Sequence, residues 1–178
     1  MSTRILLVRA VNVGGAKMPM ADLRALLAEL GGTDVRTYIA SGNAVVEVAT
    51  DPDAFDRAVE AAIETRFGFA REVISRTPTE LRSALAEHPF EVVDPTFSYV
   101  AFLSATPAAS AADAASAVPT GDDQWALSGR ELHLRFAGGM GRAELNLDKL
   151  LNTLGVIGTG RNLRTVQALI DLASGAPT

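Results

Sequence analysis

The fold is indicated first by residues 4–19, which read RILLVRAVNVGGAKMP. The aliphatic and β-branched run Ile5–Val11 predicts a buried strand. A glycine-rich segment, 12–17, ends that strand. Pro19 then suits the first turn of a helix, because its missing N–H has no intrahelical partner there. The stretch therefore predicts a strand, a loop and a helix in succession.

The rest of the first half continues the same alternation. The predicted elements that follow are a helix ending at Gly31, strands at 35–39 and 44–48, a helix from Asp51 to Gly68, a strand at 72–75 and a helix from Pro78. Helical spacing of leucines, alternation of apolar and polar residues and turn residues between the runs support these assignments. The resulting order, strand–helix–strand–strand–helix–strand plus one extra helix, is typical of a ferredoxin-like fold.

The second half repeats this order. Its predicted elements are a strand at 97–103, a helix at 105–117, a hairpin about Ser128, a helix at 145–154, a short strand at 156–157 and a helix at 161–173. Residues 77–82 (TPTELR) also match residues 159–164 (TGRNLR). We therefore predict an α+β fold of two duplicated ferredoxin-like halves, residues 1–88 and 89–178, with antiparallel sheets covered by helices. Whether the halves share one core is left open.

The composition excludes several kinds of chemistry. The chain has 178 residues, 16 basic and 21 acidic side chains and a formal net charge of −5. It has no cysteine, which excludes disulfides, thiolate catalysis and iron–sulfur clusters. The two histidines, His88 and His133, lie far apart in the sequence, so each is expected to be a separate structural residue. We predict no metal site and no cofactor.

The charge and the apolar runs also bear on partners and location. A sequence pI of about 5.0 disfavours binding to nucleic acids, which are polyanions. The apolar run Ile5–Val8 is too short for a signal peptide or a membrane span. We therefore expect a cytoplasmic protein with no membrane partner. The oligomeric state is left open.

The loop after the first strand is the first candidate site. Glycines let a backbone approach a ligand closely, and successive N–H groups before a helix favour an anion. Charged side chains at both ends of the loop add charge-assisted hydrogen bonds. The candidate ligand-binding residues here are Arg9, Asn12, Gly14, Gly15 and Lys17. The spacing matches neither a phosphate-binding P-loop nor a dinucleotide fingerprint, and a tight turn with a solvated lysine is the alternative.

The hairpin turn is a second candidate. In the functional interpretation, Tyr38, Ser41 and Asn43 are expected beside the first loop, where they would present hydroxyl and amide groups to a ligand. The alternative interpretation is that Ser41 and Asn43 only satisfy backbone groups of the turn.

Two segments of the second half complete the candidates. The glycine-rich segment 138–142 is either an anion-binding loop or an exposed connection. At the predicted start of the last helix, Arg161 and Thr165 are expected on the polar face, and Asn162 is expected to be a buried capping or bridging amide. A guanidinium at a helix N-terminus favours a neighbouring anion, either a ligand or an acid such as Asp148.

The segments 9–15 (RAVNVGG), 17–23 (KMPMADL), 37–43 (TYIASGN) and 159–165 (TGRNLRT) resemble the domain-of-unknown-function 1697 family of small bacterial proteins. The resemblance implies a duplicated ferredoxin-like architecture and no established activity. Carried over by position, the motif residues are Arg9, Asn12, Gly14, Gly15, Lys17, Pro19, Thr37, Tyr38, Ser41, Gly42, Asn43, Arg161, Asn162 and Thr165. The chain departs from the family pattern at Ala10, at Ala143–Glu144 and at Leu163.

Two hypotheses of function follow. The first is a binding or catalytic cleft for a small anionic ligand, a nucleotide or a phosphorylated metabolite, in which Arg9, Asn12 and Lys17 lie near Arg161 and Asn162. The second is a non-enzymatic interaction or structural module, in which the same motifs only cap and cross-link the fold. No nucleophile–base pair stands out, so the sequence predicts no reaction and leaves enzymatic activity undecided.

Overall fold

The computed structural model describes residues 1–175, which contain eight strands and six helices. These residues fall into two units. The first consists of residues 1–82 together with the stretch from 167 onwards, and the second of residues 83–166. Both boundaries lie inside a helix.

The first unit contains a four-stranded antiparallel sheet. Its elements are β1 (Ser2–Val8), α1 (Met20–Glu29), β2 (Thr33–Tyr38), β3 (Asn43–Val48), α2 (Pro52–Phe67), β4 (Val73–Arg76) and the start of α3 (Pro78–Ala86). The strand order is β2-β3-β1-β4. In register, Leu6 of β1 lies opposite Ala44 of β3 and Ser75 of β4. The end of β1, where the candidate loop begins, therefore lies beside the beginnings of β3 and β4.

Alternate residues of β1 contribute to the hydrophobic core of this unit. Leu6 and Val8 pack against Leu26 of α1 and Ile63 of α2, and all four are buried. Helix ends follow local chemistry: the Asp51 carboxylate accepts the Ala54 N–H at 2.9 Å, and α2 ends at Gly68 in the left-handed region. The helices are thus anchored at their ends and along one face.

The second unit repeats the topology of the first. Its elements are β5 (Ser98–Leu103), α4 (Ala109–Ala115), β6 (Gln124–Ser128), β7 (Glu131–Arg135), a 3-10 turn (Met140–Arg142), α5 (Leu147–Leu154), β8 (Gly158–Asn162) and the start of α6 (Leu163–Ala173). The strand order is β6-β7-β5-β8, again antiparallel. The expected α+β fold with two similar halves is confirmed at this level. None of the helices in residues 1–175 is long and apolar enough to cross a membrane.

Two predicted boundaries at the candidate sites are wrong. β1 ends at Val8 rather than Val11, because Ala10 takes a positive φ of 51° that a strand does not allow. The last helix begins at Leu163 rather than Arg161, because residues 158–162 pair with β5 as strand β8. Glycine and threonine in that segment hide the strand from a pattern based on apolar residues.

Candidate functional site

The loop between β1 and α1 is held in an unusual backbone conformation. Ala10 and Asn12 have positive φ angles of 51° and 56°, and Gly14 and Gly15 follow at 57° and 87°. The chain closes on itself through a hydrogen bond from Asn12 N to Ala16 O at 2.7 Å. Glycine adopts such angles freely and asparagine tolerates them, so the strain of this loop lies chiefly at Ala10.

The Asn12 side chain fixes this loop. Its Nδ2 donates to Met18 O at 3.1 Å and to Ala40 O at 2.5 Å, and its Oδ1 accepts the Met18 N–H at 2.9 Å. Both amide hydrogens are therefore used inside the protein. Asn12 positions the loop against the β2–β3 turn and has no hydrogen left to donate to a ligand.

The β2–β3 turn approaches the loop closely. Val8 N donates to Gly42 O at 2.9 Å, and a Cβ at Gly42 would lie 2.6 Å from Val11 Cγ2. Gly42 also has a φ of 77°, so glycine is required both by conformation and by space. On the other side of the turn, Ile39 has a φ of 47° and is 54% exposed.

Polar side chains of the turn are engaged locally. Asn43 is fully buried, and its Nδ2 donates to Ser41 Oγ at 2.8 Å and to Tyr38 O at 3.2 Å. This is the arrangement expected if Ser41 and Asn43 organise the turn, as the alternative interpretation of the sequence had it.

Three cationic side chains lie near the loop, and they differ in how far neighbouring groups already bind them. Arg9 forms an ion pair with Glu72, with Nη1 3.4 Å from Oε2. Lys17 is exposed, and its ammonium makes no hydrogen bond or ion pair with any residue in the range 1–175. Arg71, which sequence reasoning missed, donates from Nε to Ala10 O at 3.0 Å and lies 5.0 Å from the ring centroid of Phe69. The strand order offered the signal for Arg71, since β4 is the neighbour of β1.

The backbone of the loop leaves three consecutive donors unused. The N–H groups of Val13, Gly14 and Gly15 have no hydrogen-bond partner in the described part of the chain. All three residues are exposed. Successive free N–H groups in a turn with left-handed glycines are the backbone feature that binds anions in many proteins.

The predicted residues of the second unit occupy strand β8 and its junction with α6. Arg161 donates from Nη1 to Thr159 Oγ1 at 2.7 Å and to Gly160 O at 2.9 Å. Burial lowers the pKa of Arg161 to about 10, so the guanidinium stays protonated at neutral pH. The prediction that it lies on a helix face with Thr165 is wrong, because Arg161 belongs to β8.

The capping role predicted for Asn162 is confirmed. Its Oδ1 accepts the Thr165 N–H at 2.9 Å, three residues into α6. Thr165 is only 7% exposed and therefore does not lie on the polar face of the helix. Asn162 and Thr165 together build the start of α6.

The segment 138–142 has a different anchor from the one considered. The buried Asp123 carboxylate accepts the N–H groups of Ala137 at 2.8 Å, Glu144 at 2.8 Å and Leu145 at 3.0 Å. An internal carboxylate thus already satisfies the donors that flank this loop, which disfavours it as an anion site.

The two histidines, expected to be separate, meet in the second unit. His88 Nδ1 lies 3.3 Å from His133 Nδ1, and both Nε2 atoms are buried with no hydrogen-bond partner in residues 1–175. Burial is the main cause that lowers the pKa of His133, and burial together with the neighbouring imidazole lowers the pKa of His88 to about 4. Within the same residues, no group of three or more His, Asp or Glu side chains is arranged to hold a metal ion.

Comparisons with known proteins show which fold and which family this chain resembles. No curated protein matches it. A solved structure of the conserved bacterial protein SP0830 from Streptococcus pneumoniae is similar, with a TM-score of 0.74 and 19% sequence identity over 98% of this chain and 99% of that one. At that identity the likeness shows the fold. The family model described as "Protein of unknown function (DUF1697)" matches residues 1–133, and the chain belongs to this family.

Proposed function

We propose that the protein binds a small anionic ligand, a nucleotide or a phosphorylated metabolite, at the loop formed by residues 9–17. The observation that carries the proposal is the set of three consecutive, exposed and unpaired N–H groups at Val13–Gly15. Backbone N–H groups left without partners cost little in water, yet they bind phosphate or carboxylate oxygens without rearrangement.

Charge near the loop supports an anion. The free ammonium of Lys17 and the anchored guanidinium of Arg71 stand at the two sides of the loop. Arg71 is held by Ala10 O, by Ala70 O at 2.7 Å and by the Phe69 ring, while its Nη2 has no partner in residues 1–175. A cation held in advance loses less conformational entropy when it binds. Arg9 is a weaker candidate because Glu72 already neutralises it.

Backbone strain points to the same place. The described residues include four non-glycine positions with positive φ, and three of them, Ala10, Asn12 and Ile39, belong to this loop and the adjoining turn. Ala10 and Ile39, which tolerate this region less well than asparagine does, cost about 1–3 kcal/mol each. Strain of this kind is commonest where a protein holds a ligand-binding backbone in a fixed form.

We further propose a cytoplasmic protein built from two similar halves. The order βαββαβ with strands in the order 2-3-1-4, found in each unit, supports the proposal that each half is ferredoxin-like, and its repetition favours an origin by duplication. The lack of cysteine agrees with a reducing compartment. The prediction that Arg161, Asn162 and Thr165 complete the site stays a prediction, which an Arg161→Lys variant in the binding assay below would test.

The experiment follows the three amides directly. We expect millimolar inorganic phosphate or ribose 5-phosphate to shift the ¹H–¹⁵N resonances of Val13, Gly14 and Gly15. Lys17→Ala should weaken this binding about three- to tenfold, a loss of roughly 1 kcal/mol for one charge-assisted contact. Lys149→Ala removes the other lysine of the chain, which is also exposed, and should leave binding unchanged. Amides that do not move with any phosphate compound would exclude the proposal.

A structural module is the second candidate, and Asn12 favours it. All the hydrogens of its side-chain amide are used to join the loop to Met18 and Ala40. If the motif serves the fold alone, Asn12→Ala lowers the melting temperature and no phosphate compound binds the wild-type chain. Binding by the wild-type chain separates the two candidates.

A further inference from the structure

Two exposed aliphatic side chains border the loop that we propose as an anion site. The exposed fraction of Val13 is 57% and that of Ile39 is 54%. Val13 follows Asn12 and Ile39 precedes Ala40, and Asn12 and Ala40 are joined by the 2.5 Å hydrogen bond that ties loop and turn together. Apolar surface is therefore present at both sides of that bond, next to the free N–H groups.

Ile39 is costly in this position for two independent reasons. It exposes a large aliphatic side chain, and it holds a β-branched residue at a φ of 47°, where the side chain collides with its own backbone. Asparagine or glycine would remove both costs. A residue that lowers stability twice is retained where its side chain has a use, and at an exposed position the use is contact with another molecule.

From this we infer, resting on the proposed function, that the ligand is a nucleoside phosphate: its phosphate binds the N–H groups of Val13–Gly15, and its base packs on Val13 and Ile39. Hydroxyl groups of a sugar phosphate gain nothing from aliphatic side chains, whereas the face of a base does. The chain's net charge of −5 and the small apolar area disfavour a nucleic-acid strand.

The area involved sets the expected preference. Removing roughly 60 Å² of apolar surface from water is worth about tenfold in affinity. We therefore expect AMP to bind about tenfold more tightly than ribose 5-phosphate, which carries the same phosphate and sugar without the base. Other nucleoside monophosphates should share the preference, because aliphatic contacts do not read hydrogen-bond patterns.

The test compares AMP with ribose 5-phosphate on three chains by isothermal titration calorimetry. In Ile39→Asn, AMP affinity should fall about threefold, because Val13 keeps part of the base contact, while ribose 5-phosphate affinity should stay unchanged and the melting temperature should be equal or higher. Asparagine tolerates the left-handed backbone, so this variant preserves the turn. Val93→Asn, which changes the most exposed valine of the chain, is the matched control and should behave as wild type.

The outcomes separate this inference from the proposed function. If the wild-type chain binds both compounds equally, or Ile39→Asn weakens both equally, the base contact is refuted while the anion site stands. If neither compound binds, the anion site and the base contact fall together. A large fall in the melting temperature of Ile39→Asn would show that Ile39 serves the fold, and would also overturn the inference.

Discussion

Replacing Asp56 with asparagine should make the first unit less sensitive to pH. Asp56 lies on α2 and is only 5% exposed. Its Oδ2 accepts a hydrogen bond from Ser75 Oγ at 2.7 Å, and Ser75 in turn accepts from Arg4 Nη2 at 2.9 Å. The other carboxylate oxygen, Oδ1, is buried and has no partner among residues 1–175. Only one of the two carboxylate oxygens thus accepts a hydrogen bond, so the neutral form is more favoured here than in an exposed aspartate.

The size of the expected change in stability follows from the pKa of Asp56 in the folded chain. Burial raises the pKa of Asp56 from 3.8 to about 6, although the Ser75 hydrogen bond and the charges of Arg4 and Arg57 act in the opposite direction. Because the pKa of Asp56 is higher in the folded state, the protonated carboxyl stabilises the fold. This contribution to the free energy of unfolding is fully present below pH 3.8 and is lost as the pH rises through about 6. The difference of roughly two pKa units corresponds to about 3 kcal/mol in the free energy of unfolding.

Urea unfolding followed by circular dichroism at several pH values measures this difference. The free energy of unfolding of Asp56→Asn minus that of the wild-type chain should rise by about 2.5 kcal/mol between pH 4 and neutral pH. A constant offset from the new amide does not affect this slope. Asp113→Asn, an exposed aspartate on α4, should give a difference that does not vary with pH. A flat difference for Asp56→Asn, or a carboxyl resonance of Asp56 that titrates below pH 4, would refute the reasoning.

Three further predictions concern the loop, the turn and the histidine pair. Asn12→Ala removes three hydrogen bonds and should cost about 2 kcal/mol, with faster amide exchange in the loop as the readout. Gly42→Ala places a methyl group 2.6 Å from a valine and should cost more than 2 kcal/mol in thermal unfolding; Gly129→Ala, where φ is also positive but space is open, should cost about 1 kcal/mol. The pKa of His88 falls from 6.5 to about 4 on folding, so the histidine pair should lower stability as the pH falls through this range. The free energy of unfolding of His88→Gln/His133→Gln minus that of the wild-type chain should therefore rise on acidification; a difference that does not vary with pH would contradict this.

Local patterns in the sequence predicted most of the fold. The continuous aliphatic run of β1 reflects a strand that is buried on both faces, and the leucines at helical spacing in α1 reflect burial on one face of the helix. The cap at Asn162 was also predictable, since an amide at the start of an apolar periodic run has one short-range use.

The features that the sequence did not predict depend on contacts between residues that lie far apart in the chain. Residues 158–162 form a strand only because β5 supplies the partner, and nothing in their own composition shows this. Arg71 is one arginine among many until β4 pairs with β1 and brings it to the loop. The histidines are 45 positions apart, and only the fold brings their rings together. In each case the missing information was a tertiary neighbour.

The two buried titrations act in opposite directions over the same range of pH. Acid strengthens the first unit through Asp56, whose folded pKa is raised, and weakens the second through His88 and His133, whose folded pKa values are lowered. A single unfolding curve of the whole chain records only their difference, so a shallow pH dependence is what two large effects would produce. Amide exchange resolves them, because protection in β4 and protection in β7 should change in opposite directions on acidification. Two units with the same topology can thus have interiors that respond to protons with opposite sign, since topology fixes where side chains lie and not which of them carry charge.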